Sequence, residues 1–131
     1  MSRRCPCGNK LDFTACCGPY LSGAVAPPTA AALMRSRYTA YLDGAVDYLI
    51  ATTAAEQRAA LDPESLRTYC STLRGISLEI RETTLGGPRD DTGFVTFEAT
   101  LKSGNKKFTQ HERSRFTREH GRWVYVDGDL S

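Results

Sequence analysis

From Ile76 onward the chain alternates. Ile76, Leu78 and Ile80 are apolar, while Ser77, Glu79 and Arg81 are polar, the two-residue period of a half-buried strand. Val95, Phe97, Ala99 and Leu101 repeat the pattern. Phe108 to Arg118 and Arg122 to Asp127 read as a third and a fourth strand, joined by His120-Gly121 as a two-residue hairpin turn. Gly86 to Asp91 and Ser103-Gly104-Asn105 supply the other turns. Upstream the period is helical. Thr29 is a candidate N-cap, and Leu33, Met34, Tyr38, Tyr41 and Leu42 recur at helical spacing. Gly44 should end or bend this helix, and Val46, Tyr48, Leu49 and Ile50 form a short second one. Residues 51–61 are polar and alanine-rich, helix or loop. Asp62-Pro63-Glu64 starts a further helix carrying Leu66, Tyr69, Cys70 and Leu73.

Helices followed by an antiparallel meander predict an α+β fold in which helices cover one face of a sheet. With His120 and Gly121 at the turn, Arg118 pairs with Trp123, Phe116 with Tyr125, and Ser114 with Asp127. One face then carries Glu112, Ser114, Phe116, Trp123, Tyr125 and Asp127, and the other His111, Arg113, Arg115, Val124 and Val126. The first face is aromatic with a few embedded polar groups, the composition of a ligand pocket. It is expected to be the helix-covered side.

The first residues fit neither period. Four of the five cysteines fall in the first seventeen residues, as Cys5-Pro-Cys7 and Cys16-Cys17. This spacing is too tight for a disulfide framework, and an iron–sulfur cluster usually has its ligands further apart. Four thiolates suit a closed, structural zinc site. Gly8 and Gly18 follow the two pairs and allow the turns that aim the sulfurs inward. Residues 1–22 hold few apolar side chains, so this knuckle depends on metal for its fold. Ser22 to Pro28 reads as a linker, and residues 28–131 as the α+β domain.

Composition narrows the classes. The 131 residues suit one domain with a small appendage. The formal charge of +2 falls near zero once zinc binds four thiolates, so there is no strong nucleic-acid signal. Arg3, Arg4 and Lys10 offset the thiolates, and Lys106-Lys107 reads as part of a solvated turn. No apolar run approaches the roughly 20 residues that span a bilayer, and no apolar signal segment follows Met1. A soluble cytoplasmic protein is expected.

Taken together, these residues resemble a known family. Cys5-Pro-Cys7-Gly8 with Cys16-Cys17 resembles the SEC-C motif, a small zinc-binding element. The helix Leu33-Met34-Arg35-Ser36-Arg37-Tyr38-Thr39-Ala40-Tyr41 resembles the YchJ-like family of small bacterial proteins, as do the strands His111 to Phe116 and Arg122 to Gly128. The resemblance covers nearly the whole chain. It implies a cone-shaped, cystatin-like fold of the nuclear-transport-factor-2 (NTF2) kind, with helices in the concavity of a curved antiparallel sheet. The family brings no settled activity with it.

Candidate chemistry concentrates on the aromatic face. Glu112 or Asp127, flanked by apolar side chains, would be the general base of an enzyme. The alternative is that Glu112 forms a buried ion pair with Arg35 or Arg37. Those two arginines point about 200° apart on one helix, so one enters the cavity. Tyr38 joins Ser114, Phe116, Trp123 and Tyr125 as a pocket candidate. His111 points away from Glu112, and Cys70 reads as an inert buried thiol. No catalytic pair emerges. The reading favoured is a zinc-containing binding or protein-interaction module: a protein partner on the knuckle, a small-molecule ligand in the pocket, and a homodimer as one assembly open to it. A small isomerase, dehydratase or hydrolase is the other reading.

Overall fold

The computed structural model describes residues 3–130. A 3-10 turn at Phe13–Ala15 and helix α1 (Gly18–Leu21) belong to the knuckle. Helices α2 (Ala30–Asp43), α3 (Val46–Ala51), α4 (Ala55–Arg58) and α5 (Pro63–Thr72) follow. Strands β1 (Leu73–Leu85), β2 (Thr92–Ser103), β3 (Lys106–Glu119) and β4 (Arg122–Leu130) complete the chain as one antiparallel meander in the order β1-β2-β3-β4. Among the described residues, no helix is long and apolar enough to cross a membrane.

Local chemistry fixes the helix ends. The Thr29 hydroxyl accepts from the Ala32 N–H at 3.0 Å, which satisfies one of the free donors of the first turn. Gly44 closes α2 in the left-handed conformation at φ 69°, where a Cβ is costly. The Asp62 carboxylate caps α5, with Pro63 at its first position. Eight of the fourteen α2 residues are buried, so α2 has no single apolar stripe. Sheet, knuckle and the other helices enclose it from several sides.

Bulges bend the sheet around α2. β1 shifts register between Gly75 and Ser77 and again between Ile80 and Glu82. The first shift puts Ile76 out of phase and leaves it 51% exposed, while Leu73 and Leu78 are buried. β1 therefore starts three residues earlier than the alternation indicates, and Leu73 belongs to it rather than to α5. Lys106 and Lys107 are the first residues of β3, paired with Ser103 and Lys102, not part of a turn.

The β3–β4 hairpin turns at His120 and Gly121, with φ of 53° and 79°. Arg118 pairs with Trp123 and Phe116 with Tyr125. Beyond that point Val126 is an extra residue on β4, so Arg115 pairs with Asp127 and Ser114 with Gly128. The expected Ser114–Asp127 pair does not form. Glu112, Ser114, Phe116 and Trp123 are buried on the helix-covered side, and His111 and Arg113 are exposed on the other. Val124, expected on the outer face, is buried too and lines a groove with Tyr20 and Leu21.

One cluster of buried side chains joins the sheet residues Leu78, Val95, Phe97, Phe116 and Trp123 to Leu33, Met34 and Tyr38 of α2, and it includes Cys5, Cys7 and Cys17. The knuckle is thus packed into the main core. A Cβ on Gly8, at φ +85°, would lie 2.9 Å from the Leu78 carbonyl oxygen of β1, so glycine is needed there for both conformation and approach. Gly18 has no positive φ; it sits against Phe13.

Candidate functional site: a four-cysteine cluster and a buried charged cavity

The knuckle begins as a short loop closed on itself. The Cys5 N–H donates to the Leu11 carbonyl and the Phe13 N–H to that of Arg3, both at 2.7 Å. This pairing brings Cys5 and Cys7 back over Cys16 and Cys17. The four sulfurs all lie within 4.8 Å of one another, with Cys7 and Cys16 3.5 Å apart and Cys16 and Cys17 3.9 Å. Tetrahedral zinc with bonds of about 2.3 Å places its sulfurs about 3.8 Å apart, so the cluster has the dimensions of a four-thiolate site. None of the five cysteines is in a disulfide.

The thiols share protons unequally. Cys7 is held down to about 5 because Cys17 donates to its sulfur, with further help from the Asn9 backbone and against burial. Burial pushes Cys16 up to about 11. Cys17 is driven up by donating to Cys7 and by burial. Cys7 is thus the most readily deprotonated of these thiols, and deprotonation is what binding a soft cation requires.

Helix α2 buttresses the cluster. The Thr39 hydroxyl, fully buried, donates to Cys17 Sγ at 3.5 Å and lies 3.7 Å from Cys5 Sγ. Arg35 donates through Nη1 to the Cys7 carbonyl at 2.8 Å, so it serves the knuckle and does not enter the cavity. On the rim Arg3 pairs with Asp43 at 2.6 Å and stacks over Phe13.

A cavity of about 250 Å³ opens between α2, α5 and the concave sheet face. Tyr41 and Tyr69, packed edge to face, stand at its lining with Tyr38. Met34, Phe97 and Leu101 supply apolar wall, and Arg37, Gln110, Glu112, Ser114 and Tyr125 the polar groups. Phe116 and Trp123 are not part of this wall. Phe116 packs edge to face on Tyr125, and Trp123 donates Nε1–H to the Pro28 carbonyl at 3.2 Å, anchoring the start of α2. Asp127 is outside as well, because the extra Val126 turns it outward to pair with Arg115 at 2.9 Å.

Glu112 is 8% exposed and has no arginine partner. Its carboxylate accepts from Gln110 Nε2 at 2.8 Å, from the Tyr125 hydroxyl at 3.2 Å and from the Ser114 hydroxyl. Gly128 leaves it room: an added Cβ there would come within 2.8 Å of Glu112 Cγ and closer to the carboxylate. Burial and then the Glu112 charge push the Tyr125 hydroxyl well above its ordinary range.

Arg37 is 6% exposed. Its Nη1 donates to the Leu49 carbonyl at 3.0 Å, to Thr52 Oγ1 at 2.8 Å and to Thr53 Oγ1 at 3.3 Å. The guanidinium lies over the Tyr125 ring, 4.8 Å from its centre, and burial pulls its pKa down. The expected buried ion pair is therefore absent, since the Leu49 carbonyl of α3 and the Thr52 and Thr53 hydroxyls that follow it hold the arginine and sheet donors hold the glutamate.

These features match known proteins. The profile of the YchJ middle, NTF2-like domain fits residues 29–128. The chain belongs to the YchJ-like family. It is 46% identical over 127 residues to a UPF0225 protein of Chromobacterium violaceum, covering 95% of this chain and 90% of that one. A UPF0225 protein of Streptomyces coelicolor is 43% identical over 96% of this chain and 94% of its own length. The solution structure of a SEC-C motif containing protein from Rhodopseudomonas palustris superposes with a TM-score of 0.85 at 31% identity, covering 100% of this chain and 99% of that one. A SEC-C motif containing protein from Psychrobacter arcticus gives 0.82 at 25% identity, over 98% and 83% of the two chains.

Of the residues named from sequence, Cys5, Cys7, Cys16 and Cys17 converge, and Arg37, Tyr38, Glu112, Ser114 and Tyr125 line one cavity. Arg35, Phe116, Trp123 and Asp127 do not line it. Sequence reasoning missed Gln110, although the two-residue period from Glu112 reaches it. It also missed Thr39 and Gly128, which only the approach of separate elements reveals.

Proposed function

We propose that this protein is a zinc-containing binding module. Cys5, Cys7, Cys16 and Cys17 would hold one zinc with no open coordination position, so the metal sets structure and carries no substrate. The knuckle then offers a rigid surface to a protein partner, and the concave cavity takes a small ligand. The observation that carries this reading is the buried four-sulfur cluster, packed into the same core as α2 and β1. A binding role also fits the absence of a histidine from the cavity: His111 and His120 are exposed.

The enzyme reading draws support from one feature, a buried carboxylate in contact with a tyrosine hydroxyl inside a cavity. Against it stand the three protein donors on the carboxylate, which fix its orientation and leave about one acceptor site open, enough to receive a hydrogen bond but without the freedom to follow a proton it would abstract. Elemental analysis of protein purified under reducing conditions tests the metal half, with about one zinc per chain expected. Hydrogen–deuterium exchange into solvent-labelled candidate ligands with acidic C–H groups tests the enzyme half. Protein-dependent exchange that vanishes in Glu112→Gln would favour catalysis over binding.

A further inference from the structure

Arg37 and Glu112 are opposite charges inside one cavity, and neither has a charged partner in the protein. No N···O contact within 4.0 Å joins either of them to an ion of opposite sign among the described residues. Buried charges normally pair, because water no longer solvates them. Here the two are kept apart by construction. Tyr125 stands between them, its ring against the guanidinium and its hydroxyl on the carboxylate. Leu49 of α3 and Thr52 just after it fix Arg37 through Nη1, and Gln110, Ser114 and Tyr125 fix Glu112.

Both side chains line the same cavity and keep valences that the protein bonds above do not use. The three Arg37 bonds to Leu49, Thr52 and Thr53 use Nη1, and Tyr41, itself part of the cavity wall, adds a side-chain contact. A guanidinium carries five N–H donors, and its Nε and Nη2 edge suits a carboxylate bidentately. Glu112 accepts three protein bonds, whereas a carboxylate offers about four lone-pair sites. The rest of the wall is Met34, Phe97, Leu101 and tyrosine, which suits an apolar or aromatic body.

We infer that the cavity binds a small zwitterion, an apolar or aromatic α-amino acid or a close analogue, with its carboxylate on Arg37 and its ammonium group on Glu112. This assignment rests on the binding-module reading and gives that site its ligand class. One molecule of this class supplies both missing counter-charges across a gap the two side chains do not close themselves. It also leaves the net charge of the site unchanged, which neither a simple anion nor a simple amine would do.

The test uses the intact chain as purified, by titration calorimetry, with side-chain NMR shifts of Gln110 and Tyr125 locating the site. The probes are the standard L-amino acids, then, for the best aromatic one, its deaminated and decarboxylated analogues; for L-phenylalanine these are 3-phenylpropionate and phenethylamine. An amino acid should bind with shifts confined to the cavity, and about tenfold or more tighter than either half-molecule, the effect of one further charge-assisted contact. Glu112→Gln should weaken the amino acid while leaving 3-phenylpropionate binding nearly unchanged. Because that variant can disturb packing, the wild-type comparison of the three probes decides by itself. Equal binding of the amino acid and one half-molecule overturns the zwitterion assignment and leaves the module reading standing. Failure of every amino acid at millimolar concentration overturns the assignment too. If a neutral aromatic fragment set also fails to shift the cavity residues, the small-ligand half of the module reading falls with it.

Discussion

Thr39 carries more of the metal site than its place in the sequence suggests. It lies in the middle of α2, fully buried, with its hydroxyl on Cys17 and Cys5. A donor to a thiolate spreads its charge and fixes the sulfur in position, as outer-shell partners of metal ligands do. Replacing it with valine keeps the volume and removes the donor. Thr39→Val should weaken zinc affinity by about 10- to 100-fold while the fold persists, measured by competition with a chromophoric chelator. Unchanged affinity would reduce Thr39 to a packing residue. The four cysteines were legible because adjacent thiols at this spacing have few other uses. Thr39 was not, because one hydroxyl in a helix gains meaning only when the knuckle folds onto it.

At the scale of elements, the two-residue period carried the reading of the sheet until a bulge broke it. The hairpin turn at His120-Gly121 set the pairs nearest to it correctly. The extra Val126 then reversed everything beyond, which is why Asp127 faces solvent and Gly128 lies over Glu112. Nothing in the residue types around Val126 marks a bulge. The same holds for the Glu112 partner: helix pitch correctly separated Arg35 from Arg37, yet the competing oxygens belong to Leu49 of α3 and to Thr52 and Thr53 just after it. β4 is therefore built to leave space at one position. Gly128→Ala should destabilise the domain by about 1–3 kcal/mol, since the new methyl must displace an enclosed carboxylate. Urea denaturation monitored by Trp123 fluorescence checks this, and a midpoint equal to that of the parent would contradict the packing described.

Across the whole molecule, tyrosines and thiols make the fold sensitive to pH and to metal. Burial pushes the Tyr38 and Tyr48 hydroxyls up from 10 to about 12, and Tyr125 shifts in the same direction. Their folded pKa values lie above the unfolded one. The corresponding stability is thus fully present below pH 10 and is lost as pH rises toward about 12. Thermal unfolding midpoints should be insensitive to these groups up to that range and then fall, with phenolate absorbance appearing together with unfolding. Phenolate absorbance at its ordinary pH from all tyrosines of the folded protein would show that these hydroxyls are not enclosed.

In the proposed reading, four cysteines and one zinc fasten the N-terminal segment into the core of an NTF2-like domain. Cys5, Cys7 and Cys17 lie in the same buried cluster as Leu33, Met34, Tyr38 and Leu78, so a metal held there would tie three parts of the chain together. Native mass spectrometry of the reduced, purified chain tests this most directly. A single dominant species with the mass of the chain plus one zinc is expected, which a Cys7→Ser substitution abolishes. A dominant metal-free mass under reducing conditions, or an unchanged zinc content in the Cys7→Ser chain, would contradict it.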